Sequence, residues 1–216
     1  EADEEGGGVY SFNSNGSVMA NLQVNGNRAT SGGGLYHSYD TWTETPIALT
    51  NVTFSGNFAT DAGGGIHNTQ EPLALQNAIL WGNEPSQLGG WGNPTVRNAI
   101  VEGGAYGTDA DPDFLSDPTV AESGPTTDGD LRIMPGSPAV NEGKTSLLPV
   151  DVADLDDDGN TFEVLPRDRG GKVRVDGSAV DLGAYEGVPT EQTIEGRSGN
   201  EGRVSEGTMG GDHGWR

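Results

Sequence analysis

The 216-residue chain has no cysteine, so disulfide staples and thiol chemistry are both excluded. Aromatic residues are only 6% and hydrophobic residues 32% of the chain, too little for a thick globular core. No apolar run approaches the roughly 18 residues of a membrane span. Cations are also scarce: 11 Lys and Arg stand against 33 Asp and Glu, and no lysine precedes Lys144. The formal net charge of −22 argues against nucleic acid and membrane insertion, and suits a soluble, cation-binding surface. No initiator Met and no basic-then-apolar leader stands at Glu1, which reads as the start of a processed or excised chain.

Glycine and asparagine are what the chain has instead, and they are placed periodically. Three Gly-Gly-Gly-apolar units occur at Gly6–Val9, Gly32–Leu35 and Gly63–Ile66. A second unit, Asn-x-x-apolar-x-Gly-Asn, occurs at Asn21–Asn27, Asn51–Asn57 and Asn77–Asn83, with a degenerate copy at Asn98–Gly104. Its copies are offset by 30, 26 and 21 residues, an irregular spacing near one turn of a solenoid. Alignment gives apolar columns: Val9, Leu35 and Ile66; Met19, Leu49, Leu75 and Val96; Leu22, Val52, Ala78 and Ala99; Val24, Phe54, Leu80 and Val101.

These columns predict an all-β fold, a right-handed parallel β-helix in which like residues of successive coils stack about 4.8 Å apart. Asn27, Asn57 and Asn83 are expected to form a corner ladder between coils. A β-sandwich with Gly-rich hairpins is the alternative, but hairpins would not keep column identity over such spacings. The repeat covers residues 1–104; an irregular Asp-rich cap with the last coils is expected over 105–187, and an extended Gly/Glu-rich tail over 188–216. Phe114, Leu131, Ile133, Leu182 and Tyr185 are expected to close the end of the solenoid.

The second half carries four motifs in order: GTDADPDF from Gly107, LRIMPGSPAVNEG from Leu131, DxDxDGN from Asp154 and VDLGAYE from Val180. Following the coils, this set resembles the secreted bacterial β-helix proteins of the choice-of-anchor Q domain type, over residues 6–187. The coils alone are also similar to polymorphic outer-membrane protein repeats. The resemblance implies an extracellular or surface-attached protein, and family members mostly lack an established activity. The chain departs from the pattern by ending in a different tail instead of a sorting signal.

Asp154, Asp156, Asp158, Gly159 and Asn160 reproduce the first half of a calcium loop, where alternate carboxylates converge and glycine turns the chain. The bidentate Glu of such loops is missing, and Glu163 or Asp168 could substitute; a solvated acidic loop is the rival reading. Asp109, Asp111 and Asp113 offer a second alternate run, which Asp-Pro turns also produce without metal. His37 and His67 follow the glycine units and could stack in adjacent coils as a zinc pair. Tyr10, Tyr36, Tyr39, Trp42, Trp81 and Trp91 could form a sugar-stacking strip or simply pack in loops. Asn15 and Asn51 head glycosylation sequons.

Many β-helices cleave acidic polysaccharides, but that needs clustered carboxylates and cations. The coil region has scattered acids and, for bases, only Arg28 and Arg97. The tail is too polar to order alone, so Ile194, Val204 and Trp215 are expected to dock on a neighbouring subunit as an added strand. A head-to-tail contact that does not close makes a filament. The sequence therefore points to a secreted, extracellular structural or adhesive protein, possible glycan partners included, with a polysaccharide-binding or polysaccharide-cleaving enzyme as the alternative.

Overall fold

A computed structural model describes residues 2–187 except 15, 41–44, 70–71 and 105. The expected subunit contacts Ile194, Val204 and Trp215, the sequon residue Asn15 and Trp42 lie outside the described residues. The fold is all-β, and the helical content among the described residues is two single-turn 3₁₀ segments, Ala121–Ser123 and Thr145–Leu147. Among the described residues no helix is long and apolar enough to cross a membrane.

Each repeat supplies short strands in the same order. The first holds β1 (Val9–Phe12), β2 (Val18–Ala20), β3 (Gln23–Asn25) and β4 (Arg28–Ser31). The second holds β5 (Leu35–Ser38), β6 (Ile47–Thr50), β7 (Thr53–Ser55) and β8 (Phe58–Ala62). The third holds β9 (Ile66–Asn68) and β10 (Leu73–Trp81), the latter continuous where earlier repeats have two strands. The fourth holds β11 (Leu88–Gly89) and β12 (Thr95–Val101). Every named pairing among them is parallel, in three sheets: β1-β5-β9-β11, β4-β8, and a third built on β10 with β6/β2, β7/β3 and β12.

The register is the one the apolar columns require. Val9 pairs with Leu35, Leu35 with Ile66 and Ile66 with Leu88. Met19 pairs with Leu49, Leu49 with Leu75 and Leu75 with Val96. Val24, Phe54, Leu80 and Val101 follow suit. All these side chains, with Leu22, Val52, Ala78 and Ala99, join one interior cluster, to which the structure adds Ile47 and Leu73. Each fully buried aliphatic contributes very roughly 1.5–3 kcal/mol, so a thin interior suffices because every rung repeats it.

The glycine units are explained by contact between rungs. Gly6, Gly32 and Gly63 all sit at φ of +66° to +70°, the left-handed region open to glycine. The glycine that follows has no room: a Cβ on Gly64 would lie 2.0 Å from the Glu84 carbonyl oxygen. Gly64→Ala is therefore expected to cost about 3 kcal/mol, read by denaturant unfolding. Gly170→Ala, whose Cβ would meet nothing closer than 3.4 Å, serves as the control. Equal stability of the two variants would refute tight rung contact.

The C-terminal region differs from its expected place. Phe114, Leu131, Ile133, Ala139 and Leu182 do form one apolar cluster, with Tyr185 packed against it. Yet they gather on Ile79 and Ile100, which belong to this second cluster and not to the interior one. Antiparallel β13 (Phe114–Ser116) and β14 (Asp130–Ile133) carry three of the five. The region also reaches back to the first repeat: Thr126 N–H donates to the Gly26 carbonyl, and Tyr185 hydroxyl bonds Gln23 Oε1. It is a lateral clasp along the sheet as well as a cover for β12, where Thr108 bridges Ile100.

Candidate functional site

The acid-rich segment is the densest collection of metal-ligating groups among the described residues. Asp154, Asp156 and Asp158 can bring one carboxylate oxygen each within 4.8 Å of one another, as their spacing predicts. Asp151, Asp156 and Glu163 form a second such group, so Asp156 is shared and five carboxylates converge. Of the two residues expected to stand in for the missing loop Glu, Glu163 is the one that lies among these carboxylates. Asp168 is elsewhere, accepting from Gly170 and Lys172 N–H and, through its other oxygen, from Glu186 N–H. Asp151 was not foreseen, because it stands before the D-x-D-x-D pattern and only the fold brings it back.

Local hydrogen bonding shapes this loop. Asp154, at φ +53°, accepts from the N–H groups of Asp158 and Gly159. Asp151, 1% exposed, accepts from Ala153 and Leu155 N–H. Asn160 Oδ1 accepts from Phe162 N–H, and its amide lies 3.5 Å from Glu163 Oε2. Two carboxylate oxygens, Asp156 Oδ1 and Glu163 Oε1, are buried and have no hydrogen-bond partner. Partial desolvation raises the Glu163 pKa, and the negative charges of Asp158, Asp156, Asp151 and Asp154 raise it further. Arg167 offers a distant counter-charge, 4.0 Å from Asp156 Oδ2. The cluster could hold a metal ion, which would satisfy the orphaned oxygens and relieve the mutual repulsion.

Other candidates are rearranged. Asp109, Asp111 and Asp113 form no common ligand group among the described residues. They shape turns instead: Asp111 Oδ1 accepts from Asp113 N–H, and Asp109 Oδ1 from Gly103 N–H. The zinc pair is corrected by the register, which sets Tyr36 against His67 and His37 against Asn68. A one-residue offset puts the two imidazoles on opposite faces. His37 is buried, with Nδ1 3.0 Å from Ser11 Oγ, and its burial lowers its pKa. Asn51 is also corrected as a glycan acceptor: it is wholly buried and its amide donates to the Asp181 carbonyl.

The expected corner ladder is present. Asn57 Oδ1 accepts from the backbone N–H and side-chain amide of Asn27, and Asn83 Oδ1 accepts from those of Asn57. The ladder continues through Gln87, whose amide donates to Glu102 Oε2 at 2.6 Å. A second column was missed. Asn21, Asn51, Asn77 and Asn98 all have φ of +50° to +53° and turn their side chains to the clasp. Their amides donate to the carbonyls of Arg167, Asp181, Lys144 and Glu142 respectively. The available signal was Asn heading all four units, since Asn is the non-glycine residue that most readily enters this region.

At the centre of the clasp lies a buried ionic group. Arg174 is 0% exposed and donates to the carbonyls of Ala184, Gly183 and Asp181. Its Nε lies 3.3 Å from Glu186 Oε1. Asp168, Asp181 and Glu186, all buried, surround it. Comparison of the chain with protein-family models, with curated proteins and with solved structures finds no match.

Proposed function

We propose that the chain is a right-handed parallel β-helix acting as an extracellular structural or adhesive surface protein. In this reading it belongs with the secreted β-helix proteins its C-terminal motifs resemble, assembles head to tail with copies of itself, and holds calcium in the 151–163 segment. The observation that carries the reading is the polarity of the glycine column. Gly7, Gly8 and Val9 N–H groups donate to the Gly32, Gly33 and Gly34 carbonyls of the second repeat. Gly33, Gly34 and Leu35 N–H groups donate in the same sense to the Gly63, Gly64 and Gly65 carbonyls of the third. Consecutive peptide groups thus point one way, and the column has a carbonyl pole and an amide pole.

Among the described residues, the Gly6–Gly8 carbonyls accept no hydrogen bond and the Ser86 and Gln87 N–H groups donate none. The two poles are complementary, which is what a heterologous, non-closing contact between identical copies requires. The cavity beside the amide pole, about 450 Å³, contains Glu84 and Glu102. Glu102 Oε2 accepts from Gly82 N–H and the Gln87 amide and so ends the amide ladder, and the cavity's lining residues include no cation to seat an acidic sugar. That favours the structural reading over the polysaccharide-cleaving one. For the acid-rich segment, the hard oxygen donors fit calcium better than softer metals.

Negative-stain electron microscopy of the purified chain, with calcium and with a chelator, tests both parts. Filaments in calcium are expected, with a subunit repeat of a few rungs at roughly 4.8 Å each. Monomers at every protein concentration would sink the assembly. Calcium is expected to stabilise the chain by about 2.7 kcal/mol at a hundredfold excess over its dissociation constant, and Asp156→Asn to abolish that gain. No calcium-dependent shift in thermal unfolding would remove calcium from the reading.

A further inference from the structure

The outer face of the β1-β5-β9-β11 sheet carries a ladder of rings that stops one rung early. Tyr10, Tyr36 and His67 are register partners. Their rings stack in parallel, Tyr10 on Tyr36 at 5.6 Å and Tyr36 on His67 at 5.1 Å, with interplanar angles of 4° and 9°. Tyr36 has a ring on each side. The next partner of His67 is Gly89, which contributes no side chain. None could be accommodated: a Cβ on Gly89 would lie 2.5 Å from Gly63 N, and one on Gly90 2.0 Å from the Asn68 carbonyl oxygen. No side chain therefore extends the ring ladder past His67 on this rung.

A cavity of about 370 Å³ lies beside His67, and Tyr36, Asp61, Thr69, Gly90 and Trp91 are among its lining residues. Trp91 is 83% exposed, so its indole is open to a ligand beside the cavity it lines. His67 Nδ1 is buried and has no hydrogen-bond partner, while Asp61 is exposed at the rim. The notch thus combines flat aromatic surface with a carboxylate acceptor and a hydroxyl.

We propose that this notch binds an uncharged pyranose ring as the missing rung. The C–H face of a sugar packs on an aromatic plane, and its hydroxyls can meet Asp61 and Thr69 together. A purely aromatic occupant would fill the gap but leave those polar atoms desolvated without partners. A carboxylated or sulfated sugar would meet Asp61 in the field of a chain whose formal net charge is −22. The notch lies on one chain's own outer face and depends on neither the assembly nor the calcium site proposed above.

The test is saturation-transfer NMR on the full chain with cellotriose, maltotriose and an N-acetylglucosamine trimer, beside trigalacturonate and indole as probes. Transfer to the ring C–H protons of at least one neutral trisaccharide is expected, at millimolar concentration. Trp91→Ala, exposed enough to leave the fold intact, should weaken that binding at least tenfold, and Asp61→Asn should weaken it by a similar factor. No transfer to any of the three neutral sugars overturns the proposal. So does preferential binding of indole or trigalacturonate, or unchanged affinity in Trp91→Ala.

Discussion

Replacing Arg174 by Met is expected to destabilise the protein by about 3–5 kcal/mol, because it strands buried carboxylates without their cation. Arg174 has no exposed surface and sits among Asp168, Asp181 and Glu186, each at most 6% exposed. Its fork also ties the carbonyls of Asp181, Gly183 and Ala184, and so shapes the segment whose Gly183 and Ala184 N–H groups bond Asn77 and Thr53 on the ladder. Lysine offers one compact charge in place of a planar fork, so Arg174→Lys should recover only a minor part. Denaturant unfolding measures both; a loss under 1 kcal/mol in Arg174→Met would refute this role.

The same group sets a pH dependence. Burial pushes the Glu186 pKa up from 4.5 to about 8, against the pull of Arg174. The folded chain then keeps a proton that the unfolded chain releases. The resulting stabilisation is complete below about pH 4.5 and is lost as pH rises to about 8, at up to about 1.4 kcal/mol per pH unit. Glu186→Gln, which keeps the neutral shape, should flatten this component of the stability profile between those limits. A profile identical to that of the unmodified chain would show Glu186 to be ionised throughout.

Breaking the amide ladder at its middle is the second large effect. Asn57 is wholly buried, accepts twice from Asn27, and donates to Asn83 Oδ1 and to the Val24 carbonyl. Asn57→Ala leaves donors and acceptors on two rungs unpaired, at about 1–3 kcal/mol for each buried group, so a total near 3 kcal/mol is expected. Asn57→Asp is isosteric, yet it should cost more: it removes both amide donors and turns a charge toward two acceptor oxygens. If Asp is tolerated as well as Asn, direction of donation does not hold the rungs together.

How much of this was legible from residues alone depends on whether an interaction repeats. The apolar columns and the Asn27, Asn57 and Asn83 ladder could be read because in-register parallel stacking puts like on like at each rung. The D-x-D-x-D-G spacing likewise announced the convergence of Asp154, Asp156 and Asp158, a local matter of one turn. The His37/His67 pairing failed because the glycine units looked equivalent, whereas a single-residue difference in spacing inverts the face of a strand side chain.

What only the tertiary structure decided is where the non-repeating half goes. Its contacts span large sequence separations and each occurs once: Arg174 beside Asn21, Ala184 on Thr53, Tyr185 on Gln23. No periodicity marks such pairs. Ile79 and Ile100 look like any strand residues until Phe114, Leu131 and Leu182 cover them. Asp151 becomes a neighbour of Asp156 and Glu163 only when the chain folds back, with Asp151 N–H donating to the Glu163 carbonyl. The sequence by itself determined the stacked ladders, since every rung restates the same side-chain chemistry. The clasp, its buried ionic centre and the gap beside His67 follow from packing between unlike segments, which no single stretch encodes.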